Sequence, residues 1–172
     1  MTEPRAPLTE TLDVLLRFGA LMLRAGDTAF RVRDAMRRLG DALGIERVEV
    51  ELSTVGLTAT AWTGAEATTL SREIGPPGVD ASKIAALESL SLRAASGLDT
   101  ATLGAELDRI EKTPPLHGLL PVALSMAVAS TAFSYLNGGD LLATGAAAVS
   151  GGIGQAARTL LSRQGFNQFA MT

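Results

Sequence analysis

Residues 118–136, GLLPVALSMAVASTAFSYL, contain no charged side chain. A helix rising about 1.5 Å per residue covers about 30 Å over such a run, the thickness of a bilayer's hydrocarbon core. Pro121 falls in the first turn, where its missing N–H costs little. Asn137-Gly138-Gly139-Asp140 reads as a turn, and residues 141–161 form a second apolar run that only Arg158 interrupts. Ala123, Ala127 and Thr131 recur every four residues, as do Ala148 and Gly152. Stripes of small residues let helices associate in lipid. The expectation is therefore two transmembrane helices over residues 116–163. The alternative is a buried pair of helices in a soluble protein, which a chain of this size has little protein to cover. Arg109 and Lys112 precede the first run, Arg158 and Arg163 end the second, and the turn between has only Asp140. The positive-inside tendency then places both ends of the hairpin in the cytoplasm.

Before Thr113 the chain has a different character, with frequent charges of both signs. Residues 1–7 read as a disordered tail without the apolar segment of a secretory signal. Leu12, Leu15, Leu16, Gly19, Met22 and Leu23 share one helical face, with Gly26 as a stop and Asp27 as the cap of a second helix. That helix carries Val32, Ala35, Met36, Leu39 and Leu43 and ends at Gly44. The period then changes to two. Val48, Val50 and Leu52 alternate with Glu49 and Glu51, and a second strand follows in GLTATAWTG and a third in ATTLSREIG. Asp80 and Asp99 are placed to cap two further helices. The predicted fold class is an α+β cytoplasmic domain over residues 8–115, helices packed on a small antiparallel sheet, followed by a transmembrane α-helical hairpin.

Composition removes several chemistries. The chain has no cysteine, so disulfides, thiolate metal sites and thiol catalysis are out. A net charge of −3 gives no basic field that would call for nucleic acid. Gly152, Gly154 and Ala157 fit the dinucleotide pattern G-x-G-x-x-A. A cofactor loop also needs a strand rich in β-branched residues before the glycines and an acid about twenty positions later. The preceding LLATGAAAVS is alanine-rich and no such acid follows. Gly151, Gly152 and Gly154 read better as a close helix-contact face.

In serial order the segments resemble the N-terminal half of the threonine/serine exporter family. The resemblance is carried by LRAGDTAFRV (23–32), RRLGDALGI (37–45), a strand pair rich in Val and Thr, GVDASKIAALESLSLRAASG (78–97), LDRIEKTPPL (107–116) and SYLNGGDLLAT (134–144). Glu88 or Ser89 stands near the family's usual Asn. The resemblance implies export of threonine and serine, and in some relatives dicarboxylates, driven by an ion gradient. Members with a full N-terminal half carry about five spans, so residues 164–172 would be the start of a missing third span. The expected entity is then part of a multi-pass inner-membrane secondary transporter, incomplete alone. Its partners would be membrane lipid, an amino-acid substrate and further transmembrane spans of the same family, from a C-terminal half or a homo-oligomer. The rivals are a membrane-anchored regulatory module without transport and a small soluble hydrolase.

The candidate sites have plain alternatives. Ser125, Ser130, Thr131, Ser134, Thr144 and Ser150 are polar groups on the spans, able to line a path for a hydroxy amino acid or to bond carbonyls of their own helix. Asp140, the acid of the apolar part, offers a site for a coupling cation or is a turn carboxylate. His117, at the junction, is a candidate proton relay or an interfacial anchor. Arg24, Arg31, Arg33, Arg37, Arg38 and Arg47 make a basic region that could meet anionic headgroups. Asp27, Asp34 and Asp41 interleave at helical spacing and suit a solvated face instead. No triad, metal-ligand spacing, catalytic residue or cofactor is expected.

Overall fold

The computed structural model describes residues 7–76, 78–94, 97–114 and 118–163. The chain forms two compact units, Met1–Pro114 and Pro115–Thr172. In the first unit the order is α1 (Leu8–Arg24), α2 (Ala29–Ala42), β1 (Arg47–Leu52), β2 (Gly56–Thr63), β3 (Glu66–Glu73), α3 (Ala81–Ala94) and α4 (Thr100–Lys112). The strands form an antiparallel sheet in the order β1-β2-β3, with Val50 opposite Ala59 and Thr60 opposite Thr69. Period-two alternation decides the faces. Val48, Val50, Leu57, Ala59 and Ala61 are buried, while Glu49 and Glu51 are exposed.

Helix α1 is the hub of this core and packs against α2, α3, α4, β2 and β3. Leu12, Leu15, Leu16 and Met22 are buried, as their spacing predicts, and Phe18 joins them fully buried. From α2, Val32, Ala35, Met36 and Leu39 complete the layer. Leu87 and Leu90 come from α3, and Leu103, Leu107 and Ile110 from α4. The bend after α1 depends on Gly26, whose φ of 91° is in the left-handed region and whose missing Cβ leaves room for the Gly78 carbonyl. Asp27 is not the cap of α2. Thr28 holds that position, and Asp27 Oδ1 accepts the Thr28 N–H at 2.8 Å. Asp80 and Asp99 do cap their helices, accepting from the N–H of Lys83 and of Thr102.

An ionic clamp fixes the end of α4. Arg17 of α1 reaches Asp108 at 2.5 Å and Glu111 at 2.7 Å, Arg24 reaches Glu111 at 3.4 Å, and Lys83 Nζ donates to the Glu111 carbonyl at 3.1 Å. The Arg17 hydrogen bond holds the Glu111 carboxyl below its ordinary range, against a partial burial that pushes it up.

The second unit contains α5 (Leu119–Leu136) and α6 (Leu141–Arg163). Here the expected fold class needs correction. Among the described residues there are six helices and one three-stranded sheet, and one helix, Leu119–Leu136, is long and apolar enough to cross a membrane. This is not a cytoplasmic α+β domain followed by a transmembrane hairpin. The physical reason lies in α6. It has 23 residues, enough for a span, but fills them with Ala and Gly and includes Gln155, Arg158 and Arg163. The mean hydropathy of α5 reaches 1.6 because Leu, Val, Met and Phe occupy it.

Candidate functional site: the groove between α5 and α6

Helices α5 and α6 pack along a stripe of small residues. Their connection turns at Gly138, with φ of 80°, and Asp140 starts α6 by accepting the Ala143 N–H on Oδ1 at 2.8 Å. On α5 the stripe includes Ala123, Met126, Ala127 and Ser130. On α6 it includes Gly151 and Gly152. A Cβ on Gly151 would collide with Ser130 Oγ and Cβ, and one on Gly152 would touch the Cβ of Ala127 at 3.4 Å. The glycines let the two backbones approach closely. Gly154 does not belong to this face, because nothing lies within 4 Å of where its Cβ would be. The half-buried stripe advances from Gly151 and Gly152 to Gln155 and Ala156, four residues on from each, and Gly154 is exposed outside it.

Gly152, Gly154 and Ala157 are thus interior to a helix. A pyrophosphate-binding glycine loop must join a strand to a helix N-terminus, with free N–H groups facing the phosphates. Here α5 and a turn precede α6, and the dinucleotide pattern has no structural counterpart.

Beside the contact stripe a groove of about 630 Å³ opens on one face of the pair, lined by Met126, Ser130, Phe133, Ser134, Ser150 and Gly151 among others. It brings together three of the hydroxyl residues expected on a path, Ser130, Ser134 and Ser150. Ser150 donates to the Ala147 carbonyl at 3.2 Å. Thr131 and Thr144 lie outside the lining and bond backward, Thr131 to the Ala127 carbonyl at 2.8 Å and Thr144 to the Gly139 carbonyl at 3.4 Å. Ser125 does the same to Pro121 at 2.9 Å. Asp140 is exposed at the turn, occupied as a helix cap, and does not line the groove. His117 lies outside the described residues. Met126 and Phe133, the apolar walls, were not singled out from sequence. Their spacing of seven was visible there, but nothing marked which face of an all-apolar helix would turn toward α6.

In the first unit, the basic region is divided. Arg31 bonds Glu88 at 2.5 Å with Asp27 at 3.5 Å, Arg24 belongs to the α4 clamp, and Arg47 pairs with Glu49 and stacks 4.3 Å from the Trp62 ring centroid. Arg33, Arg37 and Arg38 make no ion pair among the described residues. The solvated-face reading is met only in part: of the interleaved acids, Asp27 alone pairs, and Glu88 and Glu111 come from other helices. Among the described residues no group of three or more His, Cys, Asp or Glu side chains is placed to hold a metal ion.

A scan against protein-family models matches residues 13–172 to the family described as "Putative threonine/serine exporter". Comparison with curated proteins found no match, and neither did comparison with solved structures. The match runs through both units, from the first turns of α1 past the end of α6, and a transporter family accounts for a helix of bilayer length in the second. The chain belongs to the threonine/serine exporter family.

Proposed function

We propose that this chain is part of a secondary transporter of the inner (plasma) membrane that exports small hydroxy amino acids, threonine and serine. The observation that carries the reading is the family match over residues 13–172, joined to the bilayer-length apolar helix α5. In this reading the chain performs no catalytic step. Arg109 and Lys112, just before α5, support a cytoplasmic position for the first unit. The transport path needs further spans, supplied by a C-terminal-half protein of the same family or by other copies of this chain, because α5 and α6 leave their groove open on one side. The groove, lined by three serines together with Met126 and Phe133, is the part of the path this chain supplies.

Threonine efflux from loaded cells tests the proposal. Cells expressing this chain together with a C-terminal-half partner should lose threonine faster than cells expressing the partner alone. Equal rates, with the chain present in carbonate-washed membranes, would reject the transport role and leave a membrane-anchored module.

A further inference from the structure

Seven Ser and Thr side chains on α5 and α6 are described, and two of them behave differently from the rest. Ser125, Thr131, Thr144, Ser150 and Thr159 each donate to a backbone carbonyl of their own helix or of the turn before it. This is how a hydroxyl on an apolar helix ordinarily satisfies itself. Ser130 and Ser134 make no hydrogen bond among the described residues, and both line the groove. They are one turn apart, so they present their hydroxyls on the same face.

Each of the two stands against a glycine. A Cβ at Gly151 would collide with the Ser130 hydroxyl, and one at Gly139 would come within 2.5 Å of the Ser134 hydroxyl. The glycines leave the space that the two hydroxyls occupy. Both hydroxyls line the open groove, where a guest can supply the partner that the two helices do not. Each hydroxyl can both donate and accept, and together they can serve a guest hydroxyl in both senses. Met126 and Phe133 beside them suit the hydrocarbon part of the same guest.

We propose that Ser130 and Ser134 are the specificity-determining residues of the groove, and that they select a hydroxy amino acid over an apolar one of the same shape. Gly139 and Gly151 are the positioning residues that keep those hydroxyls available. The inference rests on the transport reading above. Threonine and valine are the probe pair, since they differ by a hydroxyl in place of a methyl. A site that hydrogen-bonds a substrate hydroxyl loses discrimination when its own polar partner is removed. The test measures efflux of both amino acids from loaded cells expressing the full chain with its partner, at matched amounts in washed membranes.

The Ser130→Ala/Ser134→Ala variant should lose about tenfold in its threonine-over-valine ratio, the worth of about one net hydrogen bond. Its valine rate should be unchanged. Ser125→Ala, which lies outside the groove lining and whose hydroxyl is already committed to the Pro121 carbonyl, should keep the native ratio. If the double variant does not accumulate, each single variant carries the same comparison with a smaller change. A double variant that keeps the native ratio, or a Ser125→Ala variant that loses as much, overturns the inference while transport stands. Absence of threonine efflux from the unaltered chain with its partner would reject the transport reading itself.

Discussion

The packing of α5 on α6 can be tested with a single pair of thiols. The chain has no cysteine, so two introduced ones meet no competition. A Cβ at position 152 would stand 3.4 Å from the Cβ of Ala127. Disulfides span about 3.5–4.5 Å between Cβ atoms, so the pair Ala127→Cys with Gly152→Cys needs the helices to separate by only about a few tenths of an ångström. Closing a loop of about 25 residues is worth about 3 kcal/mol against unfolding, less any strain. The control joins Ala127→Cys to Gly154→Cys, because position 154 has open space around it. Membranes containing each variant would be oxidised mildly, then denatured and alkylated with a heavy maleimide, and the remaining thiols counted from the shift in mass. The 127/152 pair should lose both thiols quickly, and the control should keep them. A control that oxidises as fast, or a 127/152 pair that stays reduced, would refute the helix pairing and the groove built on it.

Three further outcomes follow from the same structure. Gly154→Ala should stabilise the second unit by up to about 1 kcal/mol through helix propensity, whereas Gly151→Ala should cost about 1–3 kcal/mol because its methyl meets Ser130; detergent-denaturation midpoints read the two signs, and equal signs contradict the contact stripe. Trp62, the sole tryptophan, lies in β2 and reports unfolding of the first unit in urea. Leu107→Ala, at a fully buried position, should cost about 2–5 kcal/mol, while Phe30→Ala, 63% exposed, should stay within about 0.5 kcal/mol. Glu111 is held below the ordinary carboxylate range, first by the Arg17 hydrogen bond, so its contribution is present above the unfolded carboxylate value and is lost as pH falls through the lower folded one. Glu111→Gln should accordingly flatten the acid side of the Trp62 midpoint profile below about pH 4.5; an unchanged slope would mean the clamp adds nothing.

The first unit was largely legible because its helices and strands bury one face and solvate the other. Period 3.6 located Leu12, Leu15, Leu16 and Met22, and period two located Val48 and Val50. Gly26 and Gly44 both take positive φ at the helix ends where they were expected as stops. Asp27 misled because its carboxylate binds one residue on instead of three. The second unit was less legible because its pattern is nearly all apolar. A long run with few charges does not by itself distinguish the Leu- and Val-rich α5 from the Ala- and Gly-rich α6, whose two arginines lie near its end; summed hydropathy separates them. The hydroxyls were legible as a group, but not which of them bond their own helix. That choice depends on the residue opposite each, Gly151 facing Ser130 and Gly139 facing Ser134, and spacing along one helix does not encode it.

The anchoring of Glu111 by Arg17, Arg24 and Lys83 has a mechanical meaning. A tug travelling back along the chain from α5 would arrive at the last turn of α4, and there the load passes sideways into α1 and α3. Peeling α4 off alone would require breaking those ties together, so the first unit should yield to tension as one block rather than helix by helix.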